Sequence, residues 1–230
     1  MIEYTGVELP MGLLRLIKNA EEYNNELEGR LSIKGTTFEP LSECFGMIHD
    51  RLLLSLEILH WYYSLWSKGE RGISLEKFHQ GILSVEPHPD EAVKQENAER
   101  VMEILRALYV LSMSSIEFSA KRAIDMNPSH ALNQAVARRI YLRDVMKKSM
   151  TLGLIDSVAN SEWQDLIFIR NCVVHNNGIS DSDRTLRIEG MEIVVNKGRM
   201  IRGKLDTFAV LTRATLRLYR DWSLGFITHG

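Results

Sequence analysis

A mainly helical fold is predicted for this 230-residue chain by three observations. Apolar residues recur at three-to-four spacing along most of the sequence. The clearest breaker, Pro87-His88-Pro89, falls between helical segments and not inside one. The pattern changes to period two only once, near residues 185–203. Together these give an N-terminal helical region over 1–88, then a four-helix bundle over 89–230 with a small β insertion before its fourth helix.

Residues 11–30 read as a short helix, followed by a break around Gly35-Thr36-Thr37 and Pro40. A strongly apolar helix over 41–67 ends at Lys68-Gly69, and a shorter one covers 74–84. Beyond the Pro-His-Pro breaker, Asp90 caps a long helix through about Ile124. Its positions Val101, Leu105, Leu108, Ser112 and Ile116 follow the spacing of a buried face. Asn127-Pro128-Ser129 ends it, and a second helix is expected from about His130 to Leu154. A third starts near Asn160-Ser161 and reaches His175, where Asn176-Asn177-Gly178 supplies residues that tolerate the left-handed conformation closing a helix. Thr185–Ile188 and Met191–Val195, with Arg199-Met200-Ile201 after them, read as a hairpin or meander. A last helix over about 205–222 completes the pattern.

Composition is that of an ordinary globular protein, with 45% hydrophobic and 25% charged residues. No secretory signal is read at the acidic Met1-Ile2-Glu3-Tyr4, and the most apolar stretch, Leu52 to Trp66, is shorter than the ~20 residues of a membrane span. A soluble cytoplasmic protein without a membrane partner is expected. Cys44 and Cys172 match no metal or redox spacing and read as reduced apolar fillers. The net charge of −2 hides an asymmetry: residues 1–97 hold 9 Lys/Arg against 16 Asp/Glu, and residues 98–230 hold 19 against 14. Either the basic half meets a phosphate-bearing partner, or the two halves neutralise each other by packing together.

The third helix concentrates the chemistry. At 100° per residue, Trp163, Ile167, Arg170 and Val174 share one face, with Leu166 beside them. Arg170 thus interrupts an apolar stripe, where a guanidinium is costly unless paired. Gln164, Asn171 and His175 form a polar stripe, and the last two are four apart, close enough to meet. Phe168 and Cys172 make the opposite side apolar as well, which suits burial against a second surface such as another subunit. Arg170 and His175 lie about 140° apart on a regular helix. They converge either if the helix unwinds near His175 or if two copies build a joint site across a two-fold axis.

Arg170-Asn171-x-x-x-His175 on the third helix of such a bundle resembles the Arg-x4–6-His signature of the HEPN superfamily, over about residues 90–225. The β insertion departs from the minimal bundle of that family. The resemblance implies RNA cleavage without metal or cofactor, with the 2′-hydroxyl as internal nucleophile and a homodimer holding the site at its interface. His175 is then the general acid or base, Arg170 holds the scissile phosphate, and Asn171 orients the phosphate or the imidazole. It also implies a toxin, phage-defence or stress effector, with a cognate antitoxin as a further partner.

Asn176 beside the motif is a candidate supporting residue, and Glu117, Glu162 and Asp165 are either partners positioning Arg170 or plain surface acids. The run Arg138, Arg139, Arg143, Lys147 and Lys148 is either a solvated face or a track for an RNA backbone. There is no Gly-rich phosphate loop, serine-hydrolase elbow or His/Cys metal cluster, and His49, His60, His79, His88, His130 and His229 show no ligand spacing. Two readings stand beside the ribonuclease: a HEPN bundle acting as a non-catalytic binding or regulatory module, and a helical interaction protein whose Arg170 and His175 knit its core.

Overall fold

The computed structural model describes residues 8–67, 70–71, 86–87, 91–135, 141–201 and 207–229. In chain order these form α1 (Glu8–Asn25), running into a π-helical turn (Glu26–Arg30), and α2 (Glu39–Ser67). The two-residue strands β1 (Glu70–Arg71) and β2 (Glu86–Pro87) pair antiparallel. Then come α3 (Glu91–Met126), α4 (Ala131–Ala135), α5 (Leu142–Thr151) and α6 (Ser157–His175). The hairpin β3 (Arg184–Ile188) and β4 (Met191–Val195) precedes α7 (Thr207–Thr228). The protein is mainly helical, with this hairpin ahead of the last helix, as the periodicity predicts.

Two differences from the expected elements have physical causes. The expected second helix is not continuous: Tyr141 is extended (φ −94°, ψ 147°), so α5 starts afresh at Leu142. α6 begins three residues before Asn160, because the Asp156 carboxylate accepts a hydrogen bond from the Ala159 amide at 2.7 Å and caps the helix there. The helix expected over 74–84 and the Asp90 cap lie outside the described residues.

α3 packs against α2, α6 and α7, and its predicted face is buried throughout: Val101, Leu105, Leu108, Ser112 and Ile116. The hydrophobic core runs across the Pro87–Pro89 region in sequence. Leu13, Leu16, Phe45 and Leu52 belong to the same cluster as Leu108, Trp163, Trp222 and Phe226. Ion pairs tie the same regions together, with Glu26 bidentate to Arg220 at 2.6 and 2.8 Å and Glu43 to Arg122 at 2.7 Å. Arg51 on α2 donates to the Leu111 carbonyl and the Ser115 hydroxyl of α3.

Helix α6 is fixed from several sides. Tyr109 of α3 donates its hydroxyl proton to the Leu166 carbonyl at 2.6 Å, in full burial. The hairpin is held against α6 by carboxylates that accept from its backbone: Asp165 from the Arg187 amide and Glu162 from the Glu189 amide, both at 3.0 Å. Glu189 and Gly190 both have positive φ (49° and 75°), as a two-residue hairpin turn that follows the strand twist requires. Arg217 of α7 then bridges Glu162 (2.6 Å) and Glu189 (3.2 Å), while Arg213 adds a second bond to Glu189 at 2.8 Å. Between α5 and α6, Gly153 takes φ +77° and closes α5: its amide donates to Met150 and that of Leu154 to Ser149, the six-to-one and five-to-two pair of a Schellman turn.

Candidate functional site

The residues that carry charge on α6 divide between two faces. Arg170 lies beside Ile167, with its guanidinium 3.7 Å from the Glu117 carboxylate of α3; both side chains keep roughly a quarter or less of their exposure (24% and 21%). A second guanidinium nitrogen donates to the Asn171 side-chain oxygen at 3.1 Å. Glu117 also accepts from Lys121 at 2.8 Å, so one carboxylate serves two cations. The cost of placing a guanidinium against apolar neighbours is met by these partners.

Arg170 opens on a cleft of about 340 Å³ between α3, α6 and the start of α5. Met113, Ile167 and Leu142 form its apolar wall, and Tyr141 stands at its rim, largely exposed. Arg143 and Lys147 line it together with Arg170, against the carboxylates of Glu117 and Asp144. Arg143 and Lys147 are four apart on α5 and so share a face. The first turn of α5 also borders the cleft, where the positive end of the helix dipole adds to the cations. Such a lining suits a small anionic group more than a neutral one.

His175 is not among the residues lining this cleft. It is exposed at the last position of α6 and has no hydrogen bond or ion pair among the described residues. The helix stays regular through His175 and turns only afterwards, where Asn177 (φ 51°) and Gly178 (φ 79°) bring the Gly178 amide back onto the Cys172 carbonyl at 2.9 Å. Local unwinding therefore does not bring Arg170 and His175 together within one chain. No Asn171–His175 hydrogen bond forms either; Asn171 turns its oxygen to Arg170 instead.

Other candidates fall in several places. Glu162 and Asp165 do not reach Arg170; they anchor the hairpin, and Glu162 is paired with Arg217. Lys148 is exposed outside the cleft, Asn176 is exposed beyond the end of α6, and Arg138 and Arg139 lie outside the described residues. Val174 does not continue the buried stripe: it is 42% exposed, while the interior side of α6 runs through Trp163, Leu166, Ile169 and Cys172. An exposed apolar residue next to His175 leaves that end of the helix partly uncovered.

One cation escaped the sequence reading. Arg184, the first residue of β3, lays its guanidinium over the Phe168 ring at 4.7 Å from the centroid. Nothing in the local pattern signals this contact, since it depends on how the 176–183 loop returns along α6. The neighbouring Cys172 thiol has its pKa raised, chiefly by burial and then by Asp181, with the charge of Arg184 acting in the opposite direction. Among the described residues no group of three or more His, Cys, Asp or Glu side chains is placed to hold a metal ion, and no helix is long and apolar enough to cross a membrane. No family model matches the chain, and neither the curated proteins nor the solved structures yield a match.

Proposed function

We propose that this chain is a metal-independent endoribonuclease of the HEPN type, its bundle formed around α6, working as a homodimer. The observation that carries the reading is the composition of α6 and its surroundings. The helix places Arg170 in a cleft with Arg143 and Lys147, and it ends on an exposed imidazole that has no partner among the described residues. In this reading the 2′-oxygen of a ribose attacks the adjacent phosphorus and the bond to the 5′-oxygen breaks. The products are a cyclic phosphate and a 5′-hydroxyl. His175 takes the 2′-hydroxyl proton or supplies one to the leaving oxygen. Arg170 stabilises charge on the phosphate oxygens, with Asn171 and Glu117 holding its guanidinium. Because Arg170 and His175 face apart in one protomer, the complete site draws Arg170 from one copy and His175 from the other across a two-fold axis. The exposed Val174 beside His175 suits contact with that second copy. A toxin or defence role with a cognate antitoxin follows from this reading alone.

A second reading, a binding module without cleavage, is favoured by one observation: the cleft that holds Arg170 does not include His175. Incubation of purified wild-type and His175→Ala protein with mixed-sequence RNA in EDTA separates the two. Cleavage by wild type alone, with cyclic-phosphate ends, is expected of the ribonuclease. RNA retained but intact with both proteins would be the outcome for the binding module.

A further inference from the structure

Phe168 and His175 are seven positions apart on a regular helix, or about 700°, so the two side chains point within roughly 20° of one another, about 10 Å apart along the axis. Asn171 lies between them and about 60° to one side. Whatever rests on Phe168 therefore borders the surface that His175 and Asn171 face. Arg184 rests there, its guanidinium held over the ring at 4.7 Å. The cation–π contact orders the guanidinium without using its N–H donors, which remain available to oxygen acceptors.

The arginines around it are otherwise engaged. Arg187 faces Glu192, Arg213 and Arg217 are bound to Glu189, and Arg220 is bound to Glu26. The Arg184 guanidinium makes no ion pair with a carboxylate and donates no hydrogen bond among the described residues. An exposed arginine that is ordered by an aromatic ring, yet has no anionic partner, is suited to hold an anion brought by a ligand.

We propose that Arg184 is a phosphate-binding residue for a single-stranded RNA lying along the Phe168–His175 face of α6. It holds a phosphate flanking the one at which His175 acts. The assignment rests on the ribonuclease reading for its ligand, and it differs from that reading in giving His175 a cation from its own protomer. Arg170, on the other side of the helix, is left to the His175 of the second copy. Asn171, between the two, has its side-chain oxygen on Arg170, and its amide hydrogens carry no hydrogen bond among the described residues.

The test is the binding of a uniformly 2′-O-methylated single-stranded RNA, which lacks the attacking hydroxyl, measured by fluorescence anisotropy over a range of salt concentrations. Arg184→Gln should weaken binding about tenfold at low salt and reduce the slope of log K against log salt by roughly 0.7, the value of one phosphate contact on a single strand. Arg184→Lys should keep the slope, since the point charge remains. Phe168→Leu should weaken binding less and leave the slope unchanged, because it removes the platform and no charge. Unchanged affinity and slope in Arg184→Gln, at an unchanged melting temperature, would overturn the assignment, as would failure of the wild type to bind the strand. Cleavage of unmodified RNA is scored separately. His175-dependent cleavage with no Arg184 effect removes the Arg184 assignment alone, and an Arg184 effect on binding without cleavage removes the ribonuclease reading alone.

Discussion

Replacing Gly225 by Ala puts a methyl group against main chain, the tightest such approach at any of the described glycines. The added carbon would stand 2.5 Å from the Leu154 carbonyl oxygen, 3.3 Å from its carbon and 3.4 Å from its Cα. All three neighbours are backbone, so no side-chain rotation relieves the contact. In an exposed helix interior the same substitution would gain about 1 kcal/mol of helix propensity. Overpacking typically costs about 1–3 kcal/mol, and a 2.5 Å contact with main chain belongs at the upper end. The net expectation is a loss of about 2 kcal/mol, or a melting temperature lower by about 4–8 °C for a chain of this size. Gly46, inside α2, has nothing within 4 Å of its would-be methyl, so Gly46→Ala should instead raise the melting temperature by about 2–4 °C. Differential scanning calorimetry on both variants reads the pair. A Gly225→Ala protein as stable as wild type would refute the packing of α7 on the turn between α5 and α6, and with it the framework that holds the cleft.

Two further predictions concern groups away from the cleft. His130 is buried and stacked on Phe226, with one ring nitrogen bonded to the Phe226 carbonyl (3.1 Å) and the other accepting from the Leu132 amide (3.0 Å), an arrangement only the neutral imidazole satisfies. Burial lowers its pKa from the usual 6.5, so its contribution is complete above pH 6.5 and is lost as pH falls from there toward the folded-state value. Urea denaturation should show stability falling below pH 6.5, and His130→Gln should lower stability at pH 7.5 by about 1–3 kcal/mol while flattening that fall. A pH dependence identical in the variant would contradict the assignment. Arg217→Met removes the shared partner of Glu162 and Glu189, both only 15% exposed, and should cost about 1–2 kcal/mol after allowance for solvent screening. Faster amide exchange in β3 and β4 would accompany it, and exchange as slow as in wild type would rule out the anchoring role.

The helical architecture was legible because long amphipathic segments leave a period that needs no tertiary information. The buried face of α3 from Val101 to Ile116, the stop at Asn176-Asn177-Gly178 and the strands flanking residues 189–190 all follow from local pattern and turn chemistry. The break at Tyr141 was not legible, since the residues around it carry no proline or glycine and the apolar spacing continues into α5. Side-chain pairing was the least accessible. Glu162 and Asp165 precede the motif in sequence, yet they point at the hairpin, because their partners are backbone amides 27 and 22 residues away. Of the three acids the sequence offers to Arg170, Glu117 is the one whose carboxylate lies near its guanidinium, at 3.7 Å. The position of His175 relative to Arg170 follows from helix geometry, and the regularity of α6 through its last residue sets aside local unwinding as a way of bringing them together.

If α6 carries a ribonuclease site completed across two copies of the chain, two variants that are each inactive should complement one another when mixed. Arg170→Ala and His175→Ala proteins are each assayed with RNA in EDTA, then combined in equal amounts under conditions that allow subunit exchange. Each variant alone should be inactive, and the mixture should recover about a quarter of wild-type activity, since half the dimers are mixed and one of their two sites is whole. The fragments should end in cyclic phosphates. Wild-type protein that cleaves no RNA, or a His175→Ala protein that cleaves as well as wild type, would overturn the ribonuclease reading; a mixture as inactive as its parts would rule out the shared site.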